Sequence, residues 1–93
     1  MRREPEHFGD RELSLIYVGR KLKVALRAEE VLTAAGVDYF VEADRYWAGM
    51  ILRRERVGAF FYVEPEVEVA ARETLRRAGF EPFNPADAKG ART

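Results

Sequence analysis

Between two polar ends, short apolar runs alternate with longer stretches in which apolar positions recur every three or four residues. LSLIYV at residues 13–18 is β-branched and aromatic, and Gly19 closes it, which predicts a strand. Over residues 20–35 the positions Leu22, Ala25, Leu26, Val31, Leu32 and Ala35 fall mostly at helical spacing, leaving Arg27, Glu30 and Ala34 outward. Gly36 ends that helix, since only glycine enters a left-handed cap without steric cost, and Val37 folds back onto the last turn. VDYFVEAD (37–44) alternates as a second strand, and AFFYV (59–63) forms a third. Pro65 suits the first turn of a helix, where its missing N–H is not needed; Glu64, Glu66 and Glu68 suit the positive end of that helix. The second helix continues through Val67, Ala70, Ala71, Leu75 and Ala78 to Gly79.

The two helices end alike. LTAAGVDYF (32–40) and LRRAGFEPF (75–83) align without a gap, matching Leu32 with Leu75, Gly36 with Gly79 and Phe40 with Phe83. The chain therefore reads as two strand–helix–strand halves. Pro82 and Pro85 weaken the last strand, which becomes a short edge element or none. The expected fold is α+β, a ferredoxin-like βαββα(β) arrangement in which two helices cover one face of an antiparallel sheet. Residues 13–83 form this single domain, and residues 1–12 and 84–93, polar and without periodic apolar positions, are expected as flexible tails.

Strand alternation assigns the faces. Val57, Ala59, Phe61 and Val63 belong with the helices, as do Tyr39 and Val41, while Gly58, Phe60, Tyr62, Asp38, Phe40 and Glu42 fall on the open side. In the first strand Ile16 and Val18 face inward, with Leu15 and Tyr17 outward. The open face would then carry Tyr17, Phe40, Phe60 and Tyr62, more apolar area than a small domain leaves in water without a reason. Next to it stands RYWAGMILRRER, residues 45–56, which sets Tyr46, Trp47, Met50, Ile51 and Leu52 among Arg45, Arg53, Arg54 and Arg56. This segment is expected as an extended hairpin or flap whose Trp47, Met50 and Leu52 cover the sheet aromatics. Three readings of the face follow. It is covered by the 45–56 segment or by a second copy of the chain, making a homodimer. It forms a groove in which Arg53, Arg54 or Arg56 meets a small anionic ligand. Or it stacks single-stranded nucleic acid.

Composition narrows these choices. About 70 residues between the tails is near the lower limit for a self-sufficient core, which favours oligomerisation. Cysteine is absent, excluding disulfides and thiolate metal sites, and no apolar run reaches the length of a membrane span. With no signal-peptide pattern, a cytoplasmic location is expected. The formal net charge is +0, which argues against a sequence-blind polyanion binder. His7 is the sole histidine and Ser14 the sole serine, so no catalytic or metal constellation can be assembled around either, and no cofactor is expected. The best acid–base candidates are Asp38, Glu42 and Asp44 beside Phe40. Gly19, Arg20 and Lys21, where the first strand turns into the first helix, could also meet a phosphate.

Two resemblances add to this. IYVGRKL (16–22) and RVGAFFYV (56–63) are similar to the two short motifs of the RNA-recognition motif. The second fits at Arg56, Ala59 and Phe60 but departs at Val57, Gly58 and Val63, and Gly58 removes one stacking aromatic. More broadly, residues 13–81 resemble a family of small bacterial signal-transducing proteins of uncharacterised function. LTAAGVDYFVEAD, RVGAFFYVEPE and AARETLRRAGF stand where that family has its AG-terminated helix, its strand ending in V-x-x-E and its Ala- and Arg-rich helix. The 45–56 segment departs from the pattern. The resemblance implies a non-catalytic regulatory or interaction role, with no catalytic residues to carry over.

Overall fold

The computed structural model describes residues 1–47 and 55–84, with side chains at 1–43 and 58–84. The body is β1 (Ser14–Gly19), α1 (Leu22–Ala34), β2 (Phe40–Trp47), β3 (Glu55–Val63) and α2 (Glu68–Arg77), the last entered through a 3-10 turn at Pro65–Val67. The sheet is antiparallel in the order β1-β3-β2. Two helices on one face of such a sheet make the α+β arrangement expected from the chain, compatible with a small ferredoxin-like fold.

The core lies between the helices and one sheet face. Ala25, Ala28 and Leu32 of α1 meet Ala71 and Leu75 of α2 over Ile16, Tyr39, Phe61 and Val63. Alanines at the helix contacts allow close approach, and the two large aromatics of the sheet fill the space beneath. Both helices stop as the alignment of their ends implies. Gly36 has φ +75° and Gly79 has φ +92°. The following residues return to the helix, Val37 N donating to Leu32 O at 3.0 Å and Phe80 N to Leu75 O at 2.9 Å.

Strand β2 starts at Phe40, inside its expected range, and runs on to Trp47, and β3 starts earlier than expected, at Glu55, and ends at Val63 as expected. Their register continues through Asp44–Gly58 and Tyr46–Arg56 to Trp47–Glu55, so the ends of the 45–56 segment belong to an extended hairpin. The covering of the sheet by Trp47, Met50 and Leu52, and the positions of Arg53 and Arg54, lie outside the described residues and side chains.

The polar first twelve residues, expected as a tail, lie against the domain instead. Arg2 forms a parallel bridge with Tyr39 at the edge of β2, and Arg3 N donates to Tyr39 O at 2.7 Å. Phe8 is buried, and the Arg11 guanidinium pairs with Glu64 and Glu66. The segment lacks periodicity because it forms no amphipathic element; it is fixed by backbone bonds at Tyr39, one buried aromatic and separate ion pairs. At the other sheet edge, Phe83 N donates to Ile16 O at 2.7 Å. That one bond is what the described residues show in place of a fourth strand, as prolines in the segment require.

Candidate functional site: the open face of the sheet

Cross-strand register builds the face opposite the helices. Tyr62 in the central strand stands between Leu15 and Phe40, and Phe60 stands between Val18 and Glu42. Directly opposed residues share a face, so these form two rows of three across the sheet. Phe40 and Tyr62 stack with ring centroids 5.9 Å apart and planes 27° apart. All five apolar members are half-buried, while Glu42 is exposed. Phe40, Phe60 and Tyr62 thus stand together as alternation predicts.

Tyr17 does not join them. The register of β1 against β3 runs Ser14–Val63 and Leu15–Tyr62, then resumes at Tyr17–Phe61, leaving Ile16 as an extra residue in a bulge. One inserted residue reverses the alternation beyond it, so Ile16 and Tyr17 both turn toward the helices and Val18 turns to the open side. The Tyr17 ring meets Phe61 at 5.8 Å and Phe80 at 5.4 Å, both edge-on. Arg27 covers the other aromatic of that pair, its guanidinium 5.7 Å from the Phe80 centroid. Burial raises the Tyr17 hydroxyl above its ordinary pKa, with Arg20 pulling the other way. Expecting Val18 inward and Tyr17 outward was therefore incorrect. Leu15 takes its expected place on the open face, and Val18 is an apolar member that alternation alone missed. The unbroken apolar run from Leu15 to Val18 was its one signal, since a half-buried strand without a bulge would show a polar residue there.

Arg56 and Tyr46 are partners in the hairpin register, and Trp47 is paired with Glu55. These pairings place the backbone of the aromatic and basic segment along the same two strands that carry Phe40, Phe60 and Tyr62. Asp38, a candidate acid, is engaged by the N-terminal segment: Arg3 Nε donates to its Oδ1 at 3.0 Å, and His7 Nε2 lies 3.7 Å from its Oδ2. No group of histidine, aspartate and glutamate able to hold a metal ion occurs among the described residues. Among them, no helix is long and apolar enough to cross a membrane. The chain matches no family model, no curated protein and no solved structure.

Proposed function

We propose that this domain works by association, with the open sheet face as its contact surface and a second copy of the chain as its partner. The observation that carries the reading is the pair of cross-strand rows, Leu15–Tyr62–Phe40 and Val18–Phe60–Glu42. They gather five large apolar side chains on the face away from the helices. Sheet faces of that composition are normally closed by packing, and a small domain gains stability by closing them against a copy of itself. The resemblance to small signal-transducing proteins supports a regulatory role for such an assembly.

The face offers less to a nucleic-acid strand. Of the three positions where the resemblance to the RNA-recognition motif would put stacking rings, Gly58 has no side chain and Tyr17 is packed beneath the sheet against Phe61 and Phe80. Phe60 alone remains on the open side.

The test is the mass of the full chain in solution, followed by light scattering from micromolar to millimolar concentration. The expected result is a two-chain particle that becomes a single chain in the double variant Phe40→Lys, Tyr62→Lys, with an unchanged far-UV circular dichroism spectrum. A single-chain mass throughout the range for the unmodified protein would remove the proposal.

A further inference from the structure

On the opposite side of the sheet, where β1 ends and α1 begins, the start of α1 leaves a cavity of about 220 Å³. Gly19, Leu22, Ala25, Ala43, Gly58 and Ala59 line it, and Arg20 and Lys21 complete its wall. Its floor is apolar for a simple reason: among the described residues, glycine and alanine occupy the sheet positions that line it. The row Gly19–Ala59–Ala43 crosses all three strands. Ala25 already sits against Gly19, where an added Cβ would come within 3.1 Å of the Ala25 Cβ. The gap therefore opens toward Ala43, which is exposed, and toward Leu22, which is 76% exposed at the mouth.

The size selects the class of occupant. An apolar cavity of about 150 Å³ admits benzene, whereas drug-sized ligands use roughly 300 Å³ or more. A single ring or a short branched chain fits. Charge selects its head group. Arg20 and Lys21 of the wall are exposed, as is Lys23 in the first turn of α1, and no carboxylate belongs to the described lining. The first turn of α1 also carries no acidic residue. Lys21 and Lys23, at the N-cap and in the first turn, place positive charge at the positive end of the α1 dipole, an arrangement that an anion would stabilise.

We infer that this cavity binds a small organic anion, a carboxylate or phosphate monoester on a ring-sized apolar body, with the body over Ala43 and Ala59 and the head group toward Lys21. Phenyl phosphate and benzoate serve as probes of the two head groups, inorganic phosphate as the head alone and phenol as the body alone. The experiment titrates each into the ¹⁵N-labelled full chain and follows amide shifts. At least one organic anion is expected to give saturable shifts at Gly19, Leu22, Ala43 and Ala59, with inorganic phosphate and phenol about tenfold weaker or worse, a difference that requires both parts of the site. Ala43→Leu, which fills the mouth from an exposed position, should weaken the organic anion at least about tenfold; Lys21→Glu should do likewise while leaving phenol unaffected. Absence of saturable shifts with both organic anions overturns the inference. So does binding of inorganic phosphate as tight as phenyl phosphate and indifferent to Ala43→Leu, which would reduce the site to a helix end attracting any anion. The probes act on the helix side, so their outcome is independent of what closes the open face.

Discussion

Tyr39 shows how single groups hold this small core together. Its ring is 1% exposed, and its hydroxyl reaches Thr33 Oγ1 at 3.1 Å and Glu29 O at 3.3 Å. Tyr39→Phe keeps the ring and removes those bonds, so a loss of about 1 kcal/mol is expected in chemical denaturation. The two helix-ending glycines act through the backbone alone: an added Cβ at either Gly36 or Gly79 meets nothing within 4 Å. Gly36→Ala and Gly79→Ala should therefore each cost about 1–2 kcal/mol, the conformational penalty of a side chain in left-handed backbone. Similar losses at both sites would establish that the two halves end by the same physics. Glu68 gives a pH signature. Hydrogen bonds from Ser14 and then Arg72 hold its carboxyl below the ordinary range. A depressed folded pKa means the unfolded chain takes up protons first, so this stabilisation is complete above the ordinary glutamate value of about 4.3 and fades as pH falls through the folded value. Glu68→Gln should lower stability at neutral pH and flatten the fall of stability in acid, measured as denaturation midpoints across the acid range.

At the scale of elements, the bulge at Ile16 decides what each face contains. Since Tyr17 packs on Phe61 and Phe80, Tyr17→Ala is expected to destabilise the fold by roughly 2–3 kcal/mol, somewhat less than truncating a fully buried aromatic. A tyrosine serving only as an exposed contact would leave the denaturation midpoint unmoved. This element also shows where reading the chain succeeds and where it stops. Alternation in β2 and β3 placed Tyr39, Phe40, Phe60, Phe61, Tyr62 and Val63 on their faces, because each strand keeps one residue per register step. In β1 four consecutive apolar residues satisfy either phase, and the choice rests on an extra residue opposite β3, which no local pattern encodes. Helix ends were legible because glycine is the specific chemical solution to a left-handed cap. The N-terminal segment was not, since Phe8 and Arg11 act by reaching distant residues rather than by any periodicity. The cavity beside α1 had a partial trace in Gly19, Arg20 and Lys21; its floor at Ala43 and Ala59 required the strand register.

For the whole molecule, Arg72 joins three parts. It is 18% exposed, donates from Nε to Glu68 at 2.9 Å and from Nη2 to Leu15 O at 3.2 Å, and also bonds the carbonyl of Phe83. One guanidinium thus holds α2, β1 and the segment after α2 in a fixed relation. Both margins of the sheet are occupied near the same end, β1 by Phe83 and β2 by Arg2. The rest of β2 has a further consequence, which follows from symmetry. Two copies joined edge to edge by antiparallel β2 strands would be related by a twofold axis normal to the sheet, so residues of like parity must oppose each other. An axis through position 42 sets Glu42 against Glu42. Through 43 it sets Glu42 against Asp44 twice, and through 44 or 45 it opposes two aspartates or two arginines. Each of these four central registers brings like charges together, a cost that native edges use to refuse partners. Edge pairing centred on the charged middle of β2 is thereby disfavoured, and the proposed association of two copies is expected to use the faces of the sheets rather than this edge.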